Sequence, residues 1–464
     1  MRALSPWGAP KMSMLLAKTG RPLVFTAAAL SLLALGACGG GSSSSGAASV
    51  AGPDQCSAPA QKDSLRSYML DNYLWSGASP NPEPTGFDSL QSYFDALLFR
   101  GAAGVPADRW SYISESASYN QYFEDGKTLG YGVAVNGLEQ LLPLKLRYVE
   151  PQSPAAAQGL ARGDVVLAIN GRPSAALLAS LDFGALGAST TGEQVTLQIA
   201  GAAGPRNVTL TSAIYPLTPL PVSRVLDLAN GGKAGYLVLK EFVTQAEVPL
   251  ADAFAAFRAA GASELILDLR YNGGGRVSTA NLLASLVAGK ARNGKVFVRL
   301  NFNARQSASN FSYNFAAAET GFARVLVLTG SRTCSASELI VNGLRPYVDV
   351  VTLGGQTCGK PVGFVPEEVC DSTVSAVNFE TLNARGEGGY FDGLAPSCPV
   401  AEDFDKPFGD PSETLTAAAL RYVQSGRCTP VAVNPSAAVK AAALWHRTRS
   451  APVEPGEWRG MRGD

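Results

Sequence analysis

Apolar side chains recur at helical spacing early in the chain, at Leu65, Tyr68, Met69, Tyr73 and Leu74 and again at Leu90, Tyr93, Phe94, Leu97 and Leu98. Residues three and four apart share a helix face, so order is expected from about Lys62, in a small helical cap over 62–128. Its helical pattern ends near Asp108-Arg109-Trp110-Ser111-Tyr112, and its aromatics read as core. From Leu129 to about Ser212 the pattern shifts to short strands: Tyr131 to Val135, Leu142 to Val149, Asp164 to Ile169 and Val195 to Ile199. Asn170-Gly171 supplies a tight hairpin turn and Arg162-Gly163-Asp164 another. Ser153 to Leu160 reads as a short helix capped by Ser153, with Pro154 first and Gly159 at its end. A third pattern, over 214–428, alternates buried-strand runs (Gly235 to Leu239, Leu265 to Leu269, Val325 to Leu328, Val348 to Leu353) with helical ones (Leu250 to Ala259, Asn281 to Val287, Ser337 to Leu344). That order predicts an α/β sheet with crossover helices.

The two ends differ from this body. Arg2, Lys11, Lys18 and Arg21 precede an apolar run, Leu23 to Leu35, that closes in Leu35-Gly36-Ala37-Cys38. This is the pattern of a secretory signal peptide over 1–38, too short to read as a stable membrane span. The small residues before Cys38, with Gly39-Gly40-Gly41 and Ser42 to Ser45 after it, resemble a bacterial lipobox, in which Cys38 becomes the lipidated first residue. The expectation is a protein of the bacterial cell envelope, lipid-anchored to a membrane, with its folded domains in the periplasm. Residues 39–61 read as a flexible Gly/Ser/Ala tether. Past Cys428 the chain becomes Ala/Pro/Arg-rich, and 429–464 reads as a largely disordered tail.

With 464 residues, 46% of them hydrophobic, the chain has core enough for two or three domains. Lys plus Arg and Asp plus Glu each number 38, so net charge calls for neither nucleic acid nor an acidic surface as partner. Setting Cys38 aside leaves Cys56, Cys334, Cys358, Cys370, Cys398 and Cys428, an even number in a chain bound for an oxidising compartment. Disulfides are expected; six cysteines allow about fifteen pairings, of which Cys334–Cys358 and Cys370–Cys398 are favoured. There is no C-x-x-C spacing and a single histidine, which argues against a zinc site.

That histidine, His446, falls in the tail, so a Ser-His-Asp or Cys-His arrangement cannot be assembled in the body. A nucleophilic hydrolase here needs another base, and lysine can serve once its surroundings favour the neutral amine. Thr333-Cys334-Ser335-Ala336-Ser337-Glu338-Leu339 follows a strand and opens a helix, where free backbone N–H groups can stabilise an oxyanion. Ser335-x-x-Glu338 is also a capping box, and both readings stay open on this fragment. Gly354-x-x-x-x-Gly359-Lys360 matches most of a phosphate loop, but Pro361 stands where Ser or Thr would hold magnesium. No lysine has a serine three positions before it, which excludes the Ser-x-x-Lys type of hydrolase.

The string Ser153 to Gly171, S-P-A-A-A-Q-G-L-A-R-G-D-V-V-L-A-I-N-G, resembles a PDZ domain, taken to span 129–213. Such a domain binds an extended peptide at a sheet edge and holds its carboxylate on backbone N–H groups. Leu129-Gly130-Tyr131-Gly132-Val133 matches the carboxylate loop. Over about residues 65–425 the chain resembles the carboxyl-terminal processing peptidases, or tail-specific proteases. Their motifs appear in order: the PDZ string, Asp268-Leu269-Arg270-Tyr271-Asn272-Gly273-Gly274-Gly275, Ser335-Ala336-Ser337-Glu338, and Gly354-Gly355-Gln356-Thr357-Cys358-Gly359-Lys360.

The resemblance implies a multidomain α+β and α/β fold: helical cap, β-rich PDZ domain, and a catalytic domain of the ClpP/crotonase-like type over 214–428. It implies a serine endopeptidase in which Ser335 is the nucleophile and Lys360, twenty-five positions on, the general base. Gly275 and Ala336 would supply the oxyanion-hole amides, and neither metal nor cofactor would be required. Partners would be protein or peptide substrates with free C-termini, captured by the PDZ domain. A Cys334–Cys358 disulfide would brace the site. One departure is Phe364, four positions after Lys360, where many relatives carry glutamine. Either another group orients Lys360, or the ring desolvates it, or catalysis is impaired. The last alternative leaves a binding protein on the same fold, recognising peptide C-termini or hydrophobic ligands.

Overall fold

The near-continuous apolar runs of the last 250 or so residues fold as strands buried on both faces, as a parallel sheet requires. In the computed structural model, which describes residues 56–137, 143–201, 204–428 and 460–463, they form one six-stranded sheet. Its order is Val222–Asp227, Lys233–Val238, Glu264–Asp268, Arg324–Thr329, Asp349–Gly354 and Cys398–Pro399. The first pair is antiparallel and the rest parallel. Alternate residues point to opposite faces. Leu237, Leu265, Leu267, Val325 and Val327 meet Phe254, Leu283 and Leu339 from the helices Glu247–Ala260, Val277–Ala288 and Ala336–Leu344. Tyr236, Ile266, Leu326, Leu328 and Leu353 meet Leu415 and Ala419 from the helix Thr414–Ser425 on the other face. Burying one such leucine is worth about 1.5–3 kcal/mol.

The preceding region forms the sheet Arg172–Pro173, Val165–Ile169, Gln194–Gly201, Gly204–Thr211, all antiparallel. Asn170 (φ 47°) and Gly171 (φ 74°) make its tight turn with the left-handed backbone that such turns need. Ser153 caps the short helix Pro154–Ala157, accepting the Ala156 N–H at 3.3 Å. The strand expected from Leu142 is Leu146–Val149; residues 138–142 lie outside the described residues.

The cap is less purely helical than its spacing suggested. Beside the helices Ala58–Asn72 and Leu90–Leu97 it holds the strand Tyr112–Glu115, antiparallel to Ser372–Ser375, and the helix Ser116–Phe123. Leu65, Met69, Tyr93 and Phe94 share one core with Val362, Val369 and Val374, so the cap's burial is completed by the region that carries the six-stranded sheet. Among the described residues no helix is long and apolar enough to cross a membrane. Cys38, the expected signal peptide and most of the expected tether lie outside the described residues.

Among the described residues three disulfides join Cys56 to Cys370, Cys334 to Cys358 and Cys398 to Cys428. The expected Cys370–Cys398 pair is therefore corrected. Cys370 sits in the turn between Glu367–Val369 and Ser372–Ser375, against the cap, where Cys56 precedes the first helix. Cys398 lies on the last strand of the central sheet, beside the helix that leads to Cys428. Packing set by segments far apart in sequence chose these partners. The tail reading is corrected too: Gly460–Arg462 is a strand, parallel to Gly274–Arg276. Backbone pairing to an open edge needs no apolar pattern, so composition gave no sign of it; residues 429–459 lie outside the described residues.

Candidate active site

The strand Arg324–Thr329 delivers the chain to a tight turn before the helix Ala336–Leu344. Thr333 fixes that turn, its Oγ1 donating to the Leu269 carbonyl at 2.8 Å and accepting the Gly330 N–H at 2.9 Å. Cys334 N–H and Ser337 Oγ both donate to the Asn272 carbonyl, each at 3.0 Å, tying the turn to the Asn-Gly-Gly-Gly segment. Ser335 stands between them at φ 60°, ψ −112°, a conformation that costs a non-glycine residue about 1–3 kcal/mol. Its hydroxyl is buried and meets no hydrogen-bond partner among the described residues. Of the capping box, the Glu338 half is a clear bond, the carboxylate accepting the Ser335 N–H at 2.9 Å, while the hydroxyl in the capping position is left unsatisfied. Strain and an idle buried hydroxyl are costs a mere helix cap would not carry.

Glu338 does more than the sequence suggested. Its Oε2 accepts the N–H of Ser335 and, at 2.8 Å, the N–H of Lys360; its Oε1 accepts the N–H of Gly359 at 2.8 Å and Thr357 Oγ1 at 2.5 Å. One carboxylate oxygen thus holds both residues of the expected pair, and the Cys334–Cys358 disulfide binds their neighbours. Burial pushes the Glu338 carboxyl up, opposed by these same hydrogen bonds. Gly359, at φ 84°, has the Phe391 carbonyl where a Cβ would stand, 2.2 Å away, so only glycine brings Lys360 in here. The Lys360 side chain is buried, its Nζ 4.6 Å from the centre of the Phe364 ring. Phe364 itself is buried and meets Tyr112 edge-on at 5.6 Å.

The third segment leaves the strand Glu264–Asp268. Asn272 is buried, its Nδ2 donating to the Leu239 carbonyl (3.1 Å) and its Oδ1 accepting the Gly274 N–H (2.8 Å). The segment then forms the short strand Gly274–Arg276, beside Phe242, whose N–H donates to the Gly274 carbonyl (2.9 Å) and whose carbonyl accepts the Arg276 N–H (2.7 Å). A Cβ on Gly275 would lie 2.2 Å from the Phe242 carbonyl. Below, Arg270 is clamped between Asp268 (2.8 Å) and Glu413 (2.7 Å), with Tyr236 donating to Asp268 at 2.8 Å. Burial raises the Asp268 carboxyl despite Arg270. For Glu413 burial also pushes upward, but Arg270 and the Thr416 hydrogen bonds outweigh it and bring the carboxyl down to about 2.

Leu129, Gly130, Tyr131, Gly132 and Val133 line a cavity of about 300 Å³ that also touches Lys240, Glu241 and Gly273. The loop expected to hold a peptide carboxylate and the turn that precedes Gly275 therefore share one space. Gly132 is at φ 82°, and a Cβ there would overlap Ser153 at 1.9 Å. Glu150, whose N–H donates to the Gly132 carbonyl at 2.9 Å, is pushed up to about 8 by burial and by Glu241 beside it. Among the described residues one cysteine–carboxylate group, Cys334, Glu338 and Cys358, has metal-site spacing, but its two sulfurs are bonded to each other.

Residues 233–397 match the model of peptidase family S41, 146–201 that of a PDZ domain, and 60–112 that of the peptidase S41 N-terminal domain. Fold and matches together place a PDZ domain ahead of a region similar to peptidase family S41. The match to peptidase family S41 takes in about a third of the chain, and the curated relatives it resembles are named carboxyl-terminal-processing proteases. It is 29% identical over 238 residues to the carboxyl-terminal-processing protease of Synechocystis sp., covering 51% of this chain and 53% of that protein. The protein of the same name from Picosynechococcus sp. is 27% identical over 242 residues, 51% of this chain and 55% of that one. The chain thus spans about half the length of the curated relatives it matches. A crystal structure of an S41 protease from Bacteroides fragilis is similar with a TM-score of 0.61 and 26% identity, covering 78% of this chain and 97% of that one.

Proposed function

We propose that this chain is a serine endopeptidase of the cell envelope that cleaves proteins or peptides near their C-termini with Ser335 and Lys360. The observation that carries the proposal is the joint placement of the two residues: both buried, both backbone amides on one oxygen of Glu338, and Ser335 held strained with its hydroxyl unpartnered among the described residues. In the mechanism, neutral Lys360 takes the Ser335 proton as Oγ attacks the peptide carbonyl. The Gly275 and Ala336 amides receive the oxyanion, the first on the strand edge beyond Asn272 and the second at the start of the nucleophile's helix. The C–N bond then breaks as Lys360 returns its proton to the leaving amine, and water, activated by the same lysine, hydrolyses the acyl-enzyme. Phe364 fits the alternative in which the ring keeps water from the lysine amine, since it lies 4.6 Å from Nζ with no exposed surface.

Substrate capture falls to the loop Leu129–Val133, whose cavity reaches Gly273. A peptide end held there lies next to the segment that carries Gly275. A lipid on Cys38 would hold the enzyme at the membrane. The test is cleavage of a loosely folded reporter with an apolar C-terminal tail, by wild type and by Ser335→Ala and Lys360→Ala proteins of equal thermal stability. Activity in wild type and in neither variant is expected; a variant that cuts as fast as wild type would overturn the assignment.

A further inference from the structure

The strand Gly274–Arg276 has two edges. Phe242 takes one, through the Gly274 carbonyl and the Arg276 N–H. Successive residues of a strand direct their N–H and C=O groups to opposite edges, so those of Gly275 face the other. That second edge is occupied by this chain's own residues: Gly460–Arg462 runs parallel to it, Met461 opposite Gly275. The segment also pairs on its far side, Arg462 bridging to Phe364 and the Gly463 N–H donating to the Phe364 carbonyl at 2.9 Å. It therefore lies between the strand that carries the proposed oxyanion glycine and the segment that follows the proposed base. Its side-chain anchor is Arg462, whose guanidinium reaches the Glu124 carboxylate at 2.6 Å and lies 5.7 Å from the Tyr119 ring centre. Arg276 holds the same carboxylate at 2.8 Å.

We infer that this slot is a peptide-binding site that takes an arginine-containing strand, and that residues 460–463 fill it in cis and hold the enzyme in a self-blocked state. The inference rests on the peptidase reading for its consequence but not for the docking itself. A substrate strand that would place its carbonyl on the Gly275 amide needs the edge that Met461 faces, so the two exclude each other. The side chain two residues before Asp464 fixes register: sliding the segment by one residue removes Arg462 from Glu124. A tethered segment is present at an effective concentration on the order of 1 mM, so one that binds in trans with a Kd of about 0.1 mM suppresses turnover about tenfold.

Docking is measured in the Ser335→Ala background, where cleavage plays no part. A fluorescent peptide with the sequence of residues 457–464 is titrated by anisotropy against the full chain and against a chain ending at Pro455. Binding to the shortened chain, at least tenfold weaker binding to the full chain, and loss of binding when the peptide carries Arg462→Glu are expected. No binding to the shortened chain, equal binding to both, or indifference to Arg462→Glu would overturn the proposal. In the Ser335 background, shortening should raise kcat/KM on the reporter about tenfold, and unchanged turnover would overturn the self-block. If the peptide docks as expected while neither chain cleaves anything, the slot stands and the peptidase reading is what fails.

Discussion

Replacing Glu338 by glutamine keeps the shape of the side chain and removes half of what it does. The carboxylate accepts from four donors, two on each oxygen: Ser335 and Lys360 N–H on Oε2, Gly359 N–H and Thr357 Oγ1 on Oε1. An amide offers one acceptor oxygen, and its NH₂ would point at two remaining donors. Two charge-assisted bonds are lost and two buried donors face another donor. At about 1.5–3 kcal/mol for each bond to a charged group, the loss is about 3–6 kcal/mol, reduced by relief of burying the charge. The same change frees Ser335 and Lys360 from their common anchor, and a misplacement of about 1 Å can cost on the order of 100-fold in rate. Denaturant unfolding reads the first effect, and reporter cleavage under conditions where the variant is folded reads the second. A Glu338→Gln protein within about 1 kcal/mol of wild type and equally active would refute the clamp, showing that the carboxyl carries a proton in the native state and needs no second acceptor.

Three further outcomes follow from particular residues. Ser335→Gly should be inert yet more stable by about 1–3 kcal/mol, because glycine adopts φ 60°, ψ −112° without strain; an equal gain in Ser335→Ala would assign it to the buried hydroxyl instead. Glu413, whose folded carboxyl is held at about 2 against an ordinary 4.5, contributes stability that is present above about pH 4.5 and lost as pH falls toward 2. At 1.36 kcal/mol for each pH unit this amounts to about 3 kcal/mol, and Glu413→Gln should flatten that acid limb in pH-dependent unfolding. Glu150 runs the other way: with its carboxyl raised to about 8, the folded state keeps a proton the unfolded state gives up, so stability falls as pH rises from about 4.5 through 8. Glu150→Gln should remove that fall, and an unchanged alkaline limb would place its cause elsewhere.

How much of this was legible in the sequence depends on how local each cause is. The runs around Leu237, Ile266, Leu326 and Val351 announced strands because a sheet covered on both faces must be apolar throughout. The helix at Ala336 was announced by its position after a strand, while Ser335 and Lys360 were proposed as a pair from their order and spacing within a family pattern. The strand and helix over Tyr112–Phe123 were missed because the aromatics there suit either period. Glu338 was visible only as a cap: three of its four donors come from Thr357, Gly359 and Lys360, which tertiary folding alone brings near. Arg270 likewise gave no hint of Glu413, 143 positions away. Cys370 found Cys56 across 314 positions because the cap packs on that hairpin, a contact with no signature in cysteine spacing. Gly460–Arg462 pairs by backbone, which leaves composition silent.

The most direct test of the Ser335–Lys360 pair is covalent labelling of the chain ending at Pro455 with a serine-directed fluorophosphonate, followed by peptide mass spectrometry across a pH series. The expected result is one adduct, on Ser335, forming faster as pH rises and abolished in Lys360→Ala of matched stability. Labelling spread over surface serines, or an adduct on Ser335 that forms at the same rate without Lys360, would contradict the assignment of nucleophile and base.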